Sequence, residues 1–154
     1  MGSSYLSITY SEIYDMTSST LMQQLINDER EVPYAYTDSL GYLTIGVGRL
    51  IDKRKGGGLS HEECMYLLNN DITTALINCA RLYPQFSTFS QSRQDGLANM
   101  MFNMGYTTMS EFVRTIACIN KGDWAGAQAN LVKSKWYAQV GARADRIIAA
   151  LGVA

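Results

Sequence analysis

The hydrophobic pattern of this chain changes its period twice, near residue 33 and near residue 60. From residue 34 to residue 51 apolar and polar residues alternate, which predicts two short strands joined around TDSLG (residues 37–41). Ahead of them, LMQQLINDER (residues 21–30) predicts a short helix, and after residue 60 the apolar residues recur at helical spacing. Because the strands are confined to the first part of the chain, the predicted fold class is α+β, with a short antiparallel sheet and a larger helical part.

Helices account for the rest of the chain. Ser60 and Glu63 form a capping box, which predicts that a helix begins there. SRQDGLANMMFNMG (residues 92–105) predicts another helix that ends at Gly105, with four side chains turned inward: Leu97, Met100, Met101 and Met104. Further helices are expected near residues 110–119, 123–132 and 143–151. The segment KRKGGG (residues 53–58) predicts a mobile basic loop.

The composition excludes several classes of function. With 154 residues, 47% of them hydrophobic and 18% charged, the chain is long enough for one globular domain with a sizeable core. Its net charge of −1 offers no basic field for nucleic acid. No apolar run approaches the roughly 20 residues that a membrane-spanning helix needs, and no secretory signal opens the chain. We therefore expect neither nucleic-acid binding nor stable membrane insertion.

Two short patterns resemble ligand-binding motifs, but each lacks a residue that the motif needs. GVG (residues 46–48) lacks the third glycine of a dinucleotide-binding loop, and no helix is predicted directly behind it. HEEC (residues 61–64) cannot be a zinc motif of the HExxH kind, because His61 is the only histidine in the chain. The sequence therefore predicts neither a nucleotide site nor a metal site.

Two carboxylates are candidates for acid–base chemistry. Glu29 lies four residues after Leu25, so the helical period places it on or beside the buried face, at the negative end of the helix. Both features disfavour the ionised form, as a general acid requires. Asp38 lies nine residues later in the hairpin turn, where exposure favours the ionised form. Pattern alone favours a simpler interpretation, in which Glu29 is a surface helix end and Asp38 an ordinary turn residue.

The segments around these residues resemble a known family. LINDER, YTDSLG and GYLTIGVGRLI contain Glu29, Asp38 and Thr44, and they resemble the catalytic pattern of the T4-type phage lysozymes, glycoside hydrolase family 24. RQDGLANMMFNMG resembles the inner helix of that family, and GDWAGAQANLVKSKWYAQVGARADRII resembles its C-terminal helices. The resemblance extends from about residue 20 to about residue 150. It favours the catalytic interpretation of the two carboxylates over the simpler one.

The resemblance implies an organisation of the chain. It predicts a single lysozyme-like domain at residues 18–154, preceded by an N-terminal extension of residues 1–17. Within the domain it implies a small lobe at about residues 18–60, a helical lobe at about residues 61–154, and a cleft between them.

The resemblance also implies roles for individual residues. Glu29 would protonate the glycosidic oxygen, Asp38 would act on the attacking water, and Thr44 would help to hold that water, with inversion at the anomeric carbon. The implied substrate is peptidoglycan, cut between N-acetylmuramic acid and N-acetylglucosamine without a cofactor. The residues that match glycan contacts are Leu50, Phe102, Thr115 and Asn130, and the arginine that matches a partner of the catalytic Glu is Arg143. For Leu50 and Phe102, core packing is an equal alternative.

The chain departs from the family pattern at a few positions. Arg49 stands where the family commonly has His, and Arg30 stands where members often have Gly after the catalytic Glu. The stretch between Ile51 and Ser60 is shorter than in the family's type member, so we expect the outer glycan subsites to differ from the family pattern.

The resemblance allows more than one biological role. The favoured role is a monomeric phage endolysin, stored in the host cytoplasm until a holin opens the inner membrane and then acting on the wall in the periplasm. One alternative is a lysozyme domain of a tail-puncturing device or of a bacterial effector. Another is a peptidoglycan-binding module that has lost catalysis.

Overall fold

The computed structural model of the protein describes residues 19–154. The predicted extension, residues 1–17, lies outside the described residues. The chain divides into two compact units, one that ends at His61 and one that begins at Glu62. Within residues 19–154, every helix is too short or too polar to span a bilayer.

The first unit contains a helix and a three-stranded sheet. Its elements are α1 (Ser19–Glu29), β1 (Val32–Thr37), β2 (Leu43–Gly46) and β3 (Arg49–Leu50). The strands pair antiparallel in the order β1-β2-β3, so β2 is the central strand. Thr44 of β2 lies opposite Tyr36 of β1 on one side and opposite Leu50 of β3 on the other.

The segment after the sheet is a loop, as predicted, that contains one short 3-10 helix (Lys53–Lys55). The side chain of Asp52 caps the start of this helix, and Gly56 ends it in the left-handed conformation, with a φ of 70°. Gly58 then donates a hydrogen bond to the carbonyl of Leu50, which ties the segment back to β3.

Helices make up the rest of the described chain. After α2 come a 3-10 turn (Phe86–Thr88) and five further helices; the α-helices are α2 (His61–Leu82), α3 (Gln91–Ser110), α4 (Val113–Asn120), α5 (Trp124–Val132), α6 (Lys135–Val140) and α7 (Ala142–Gly152). Helix α2 begins directly after Ser60, where the capping box predicted a start. The six-residue helix α6 was not predicted, because fewer than two helical turns give no readable period.

The core of the second unit is built around α3. Leu97, Met100 and Met101 are fully buried, as predicted, while Met104 is only partly buried against the core. Gly105, with a φ of 75° and a ψ of 169°, ends the first helical segment of α3, as predicted, and a second segment continues after this kink to Ser110. The small sheet and the helical remainder confirm the α+β class.

Candidate active site

Glu29 ends α1, and its carboxylate lies beside the turn between β2 and β3. A Cβ atom built on Gly48 would lie 3.1 Å from Oε2 of Glu29, so the backbone of the turn approaches the carboxylate closely. The Glu29 side chain is exposed, and the prediction that it lies on or beside a buried face is wrong. Helix α1 presents little buried surface, since Leu25 is 47% exposed.

Gly48 is required beside Glu29 for two reasons. Its φ of 70° lies in the left-handed region, which residues with a Cβ atom adopt only at a cost. Any Cβ atom at this position would also press on the Glu29 carboxylate. The glycine therefore permits both the tight turn after β2 and the close approach to the candidate acid.

Arg30 bends the chain immediately after Glu29. Its φ of 63° is left-handed, and it is the one non-glycine residue with a positive φ among residues 19–154. Its backbone N–H still donates to the carbonyl of Ile26 at 2.9 Å, which closes the last turn of α1. A left-handed conformation costs a residue with a Cβ atom about 1–2 kcal/mol. The bend for which glycine is suited is thus made here by an arginine, at a cost in stability.

Replacing Arg30 by Gly should therefore stabilise the protein. We expect the free energy of unfolding to rise by about 0.5–1 kcal/mol, because the strain is removed while glycine loses more backbone entropy on folding. Urea denaturation of the two proteins at pH 7 measures the difference. As a control, Glu31→Gly at the adjacent position, which has no left-handed φ, should lower stability. A loss of stability in Arg30→Gly would contradict the assignment of strain.

Asp38 organises the turn between β1 and β2. Its Oδ1 accepts hydrogen bonds from the backbone N–H groups of Leu40 at 2.9 Å and Tyr42 at 2.8 Å. This is an Asx-type turn, which explains why the sequence has an aspartate here. Both bonds fall on Oδ1, and Oδ2 takes no part in them. One oxygen of the half-buried carboxylate thus holds the turn.

Thr44 lies on the central strand and shares a partner with Asp38. It is 5% exposed, and its Oγ1 donates to the carbonyl of Tyr42 at 3.4 Å. The same carbonyl accepts the backbone N–H of Asp38 at 2.9 Å. The peptide groups of Tyr42 therefore connect the carboxylate of Asp38 to the hydroxyl of Thr44. The structure brings these two predicted residues together through the backbone of Tyr42, which lies between the turn and β2.

Asp52 and Arg54 form an ion pair that the sequence did not predict. The Asp52 side chain is 5% exposed and accepts Nη2 of Arg54 at 2.6 Å and Nε at 2.9 Å. The hydrogen-bonding Arg54 guanidinium holds the pKa of the Asp52 carboxyl far below its usual value, against the effect of burial. Because the folded protein holds the carboxyl ionised, the ion pair stabilises the fold above the ordinary pKa of 3.8. This stabilisation is lost as the pH falls below that value and the carboxyl becomes protonated. An Asp directly before a short basic run was the available signal.

Phe102 and Arg143 line one cavity of the second unit. The cavity has a volume of about 450 Å³ and is also lined by apolar residues of α2 such as Leu68 and Ile72. Phe102 is 45% exposed, so it is not a core residue. Arg143 donates through Nε to Oδ1 of Asn99 at 2.9 Å, which fixes the guanidinium on the wall of the cavity.

Thr115 and Asn130 line a different cavity of the same unit. It has a volume of about 400 Å³, and the exposed cations Arg114 and Lys133 also line it. Thr115 is buried, and Asn130 is half-buried with its Nδ2 3.5 Å from Sγ of Cys118. The predicted glycan contacts of the second unit thus fall into two pairs. Leu50 lies in the first unit, half-buried on β3.

The first unit carries groups suited to acid–base chemistry. The Glu29 carboxylate stands at the turn that follows β2, the Asp38 carboxylate stands at the turn that precedes it, and Thr44 lies on the strand. Such a set can donate a proton at one end of the strand and accept one at the other. Within residues 19–154, no three side chains of His, Cys, Asp or Glu come together as a metal site.

Comparisons with known proteins identify the family of the chain. The family model described as "Phage lysozyme" matches residues 26–149. "Probable T4-type lysozyme 2" of Dictyostelium discoideum is 30% identical over 156 residues, which covers 84% of this chain and 92% of the relative. The "SAR-endolysin" of Escherichia phage Mu is 32% identical over 111 residues, covering 72% of this chain and 63% of the relative. "Pre-baseplate central spike protein Gp5" of Enterobacteria phage T4 is 27% identical over 158 residues, covering 86% of this chain and 28% of the relative.

The family model spans most of the chain, and a relative of similar length is aligned over nearly all of its own sequence. The chain therefore belongs to the phage lysozyme family, and its class of activity is that of a lysozyme-like glycosidase.

Proposed function

We propose that the protein hydrolyses the β-1,4 bond between N-acetylmuramic acid and N-acetylglucosamine in bacterial peptidoglycan. The observation that carries the proposal is the placement of Glu29, Asp38 and Thr44 around one central strand in a member of the phage lysozyme family. The name of a further relative, "Peptidoglycan hydrolase gp36" of Pseudomonas phage phiKMV, supports the same substrate. This relative is 28% identical over 117 residues, covering 74% of this chain and 13% of the relative.

In the proposed reaction, water replaces the sugar oxygen at the anomeric carbon. Glu29 donates its proton to the glycosidic oxygen as the bond from that oxygen to the anomeric carbon breaks. Asp38 accepts a proton from the water, whose oxygen forms the new bond to the anomeric carbon from the opposite face, and Thr44 helps to hold this water. The products are two sugar chain ends, and the configuration at the anomeric carbon is inverted.

The dimensions of the sheet support an inverting reaction. The four residues of β2 separate the turn at Asp38 from the turn beside Glu29, and such a strand spans roughly 10 Å from its first to its last residue. Inverting glycosidases hold their two carboxyl groups roughly 6.5–9.5 Å apart, which leaves room for water, whereas retaining enzymes hold them roughly 5–5.5 Å apart. We propose inversion because a strand of this length between the two turns leaves room for water between the two carboxylates.

We also propose that five residues contact the glycan or support the acid: Leu50, Phe102, Thr115, Asn130 and Arg143. The exposure of Phe102 and the cavity that it shares with Arg143 support a binding role for that pair. The cavity that contains Thr115 and Asn130 has a polar wall suited to the hydroxyl and amide groups of amino sugars.

Digestion of purified peptidoglycan by the full-length protein tests the proposal. The protein should clear a suspension of Gram-negative cells with permeabilised outer membranes, and it should release fragments with N-acetylmuramic acid at the reducing end. Mass spectrometry of borohydride-reduced fragments identifies that end. Fragments that end in N-acetylglucosamine would place the cut at the other glycosidic bond. Binding without release of fragments would instead identify a module that has lost catalysis.

The biological role that we propose is that of an endolysin. The chain would act as a monomer, with residues 18–154 as a single catalytic domain and residues 1–17 as an extension. It would be stored in the host cytoplasm and would reach the wall from the periplasmic side after a holin opens the inner membrane. The name of the Mu relative, "SAR-endolysin", supports the assignment as an endolysin.

A second role is favoured by the spike relative. Because 86% of this chain aligns with part of "Pre-baseplate central spike protein Gp5", the protein could serve as the lysozyme domain of a tail device. Immunodetection distinguishes the roles: a tail component is retained in purified virions, whereas an endolysin is found only in the lysate.

A further inference from the structure

Side chains of the segment after β3 contact the residues that connect Asp38 to Thr44; besides the pair described next, Nζ of Lys55 lies 4.7 Å from the centre of the Tyr42 ring. Gly41, Tyr42 and Leu43 are the last three residues before Thr44, and each of them is contacted by the pair formed by Asp52 and Arg54. We refer to Asp52 and Arg54 as the clamp pair. The clamp pair lies on the segment that follows β3, so it joins the end of the sheet to its first turn.

Asp52 is the buried member of the clamp pair. Its Oδ2 accepts the backbone N–H of Leu43, the first residue of β2, at 3.1 Å. Its Oδ1 accepts the backbone N–H of Arg54 and also Nε of the same residue, both at 2.9 Å. Nη2 of Arg54 donates to Oδ2, so the guanidinium binds the carboxylate through two nitrogens. Such a bidentate pair fixes the orientation of both groups.

Arg54 is the member of the clamp pair that contacts the turn between β1 and β2. Its Nη2 also donates to the carbonyl of Gly41 at 2.8 Å. The central carbon of its guanidinium lies 5.2 Å from the centre of the Tyr42 ring, within the range of a cation–π contact. Tyr42 in turn donates its N–H to Asp38, and its carbonyl accepts the Thr44 hydroxyl. One guanidinium thus contacts Tyr42, which is one of the two residues whose N–H groups hold the Asp38 carboxylate, and Gly41 directly before it.

We propose that Asp52 and Arg54 are positioning residues for the half of the site that activates water. They act through Gly41, Tyr42 and Leu43, and they set where Asp38 and Thr44 stand relative to one another. The inference rests on the proposed roles of Asp38 and Thr44. The physical reason is that catalytic groups must be held within about 0.5 Å of their working positions by side chains that are themselves fixed. A short exposed turn does not supply that rigidity by itself.

The steady-state kinetics of Arg54→Ala test the proposal. We expect kcat for soluble peptidoglycan fragments to fall about tenfold to hundredfold with KM nearly unchanged, because misplaced catalytic groups slow the chemical step but not glycan binding. Arg54→Lys should lose less, since it keeps the charge but not the two-nitrogen contact. Lys53→Ala, a neighbouring exposed cation on the same 3-10 helix, should keep wild-type kinetics. All assays are run well below the melting temperature of each variant.

A double-mutant cycle separates positioning from a general effect on the fold. In the Asp38→Asn background, adding Arg54→Ala should reduce the residual rate less than about twofold, because the group that it positions is already disabled. An equal loss in both backgrounds, or a rise in KM at constant kcat, would overturn the positioning role. Wild-type activity in Asp38→Asn alone would instead overturn the catalytic assignment, and the inference with it. If Arg54→Ala does not fold, Arg54→Lys and Asp52→Asn enter the same cycle.

Discussion

Glu29→Gln should abolish the clearing of permeabilised Gram-negative cells while the fold survives. Removing a general acid costs about 10²–10⁴-fold in rate, and glutamine has nearly the same shape but no proton to give to the glycosidic oxygen. The side chain is exposed at the end of α1, so we expect the free energy of unfolding to change by less than about 0.5 kcal/mol. Initial rates of turbidity loss and urea denaturation measure the two effects.

Asp28 offers a matched control for this substitution. It is an exposed carboxylate directly before Glu29 in the same helix, so Asp28→Asn removes the same charge from the same helix end. We expect it to keep activity within about twofold, because an exposed carboxylate away from the reacting bond has little effect. Activity near that of the wild type in Glu29→Gln, or an equal loss in Asp28→Asn, would remove Glu29 from the role of the acid.

Asp38→Asn should likewise abolish activity and leave the turn intact. The asparagine Oδ1 can still accept the N–H groups of Leu40 and Tyr42, so the turn keeps its hydrogen bonds. The amide cannot accept a proton from water, and we expect a rate loss of about 10²–10⁴-fold. The rate is measured on permeabilised cells, and the turn is checked through the melting temperature.

Two comparisons distinguish catalysis from turn stability at Asp38. Asp38→Ala removes the acceptor as well, so it should lower the free energy of unfolding by about 1–2 kcal/mol in addition to the loss of activity. Asp123→Asn makes the same exchange at another capping aspartate, which accepts the N–H of Gly126 in the second unit. It should keep both stability and activity. A stable and fully active Asp38→Asn would show that the aspartate serves only the turn.

The long elements, in which the apolar pattern repeats several times, were predictable from the sequence. Helix α2 begins directly after Ser60 and α3 buries Met100 and Met101 because a helix of about twenty residues repeats its apolar pattern several times. Strand β3 has two residues and α6 has six, too few for any period to be visible. The order of a helix, a small sheet and further helices was sufficient to assign the α+β class.

The local determinants of the site were not predictable in the same way. The period of α1 predicted a buried position for Glu29, but a helix with half-exposed apolar residues buries neither Leu25 nor the residue one turn later. The bond from Asp52 to Leu43 joins residues that are nine positions apart, and no periodic pattern reports such a bond. Arg30 shows the same limit, since a left-handed φ at an arginine follows from the path of the chain and not from the residue type.

The configuration of the first product is the most direct test of the two-carboxylate mechanism. Proton NMR recorded immediately after the full-length protein is added to soluble, uncrosslinked peptidoglycan glycan chains reports the anomeric signal before mutarotation mixes the forms. If Asp38 directs water to the face opposite the one that Glu29 protonates, the new reducing end must appear first as the α-anomer. A first product with the β configuration, or one without a reducing end, would contradict the mechanism.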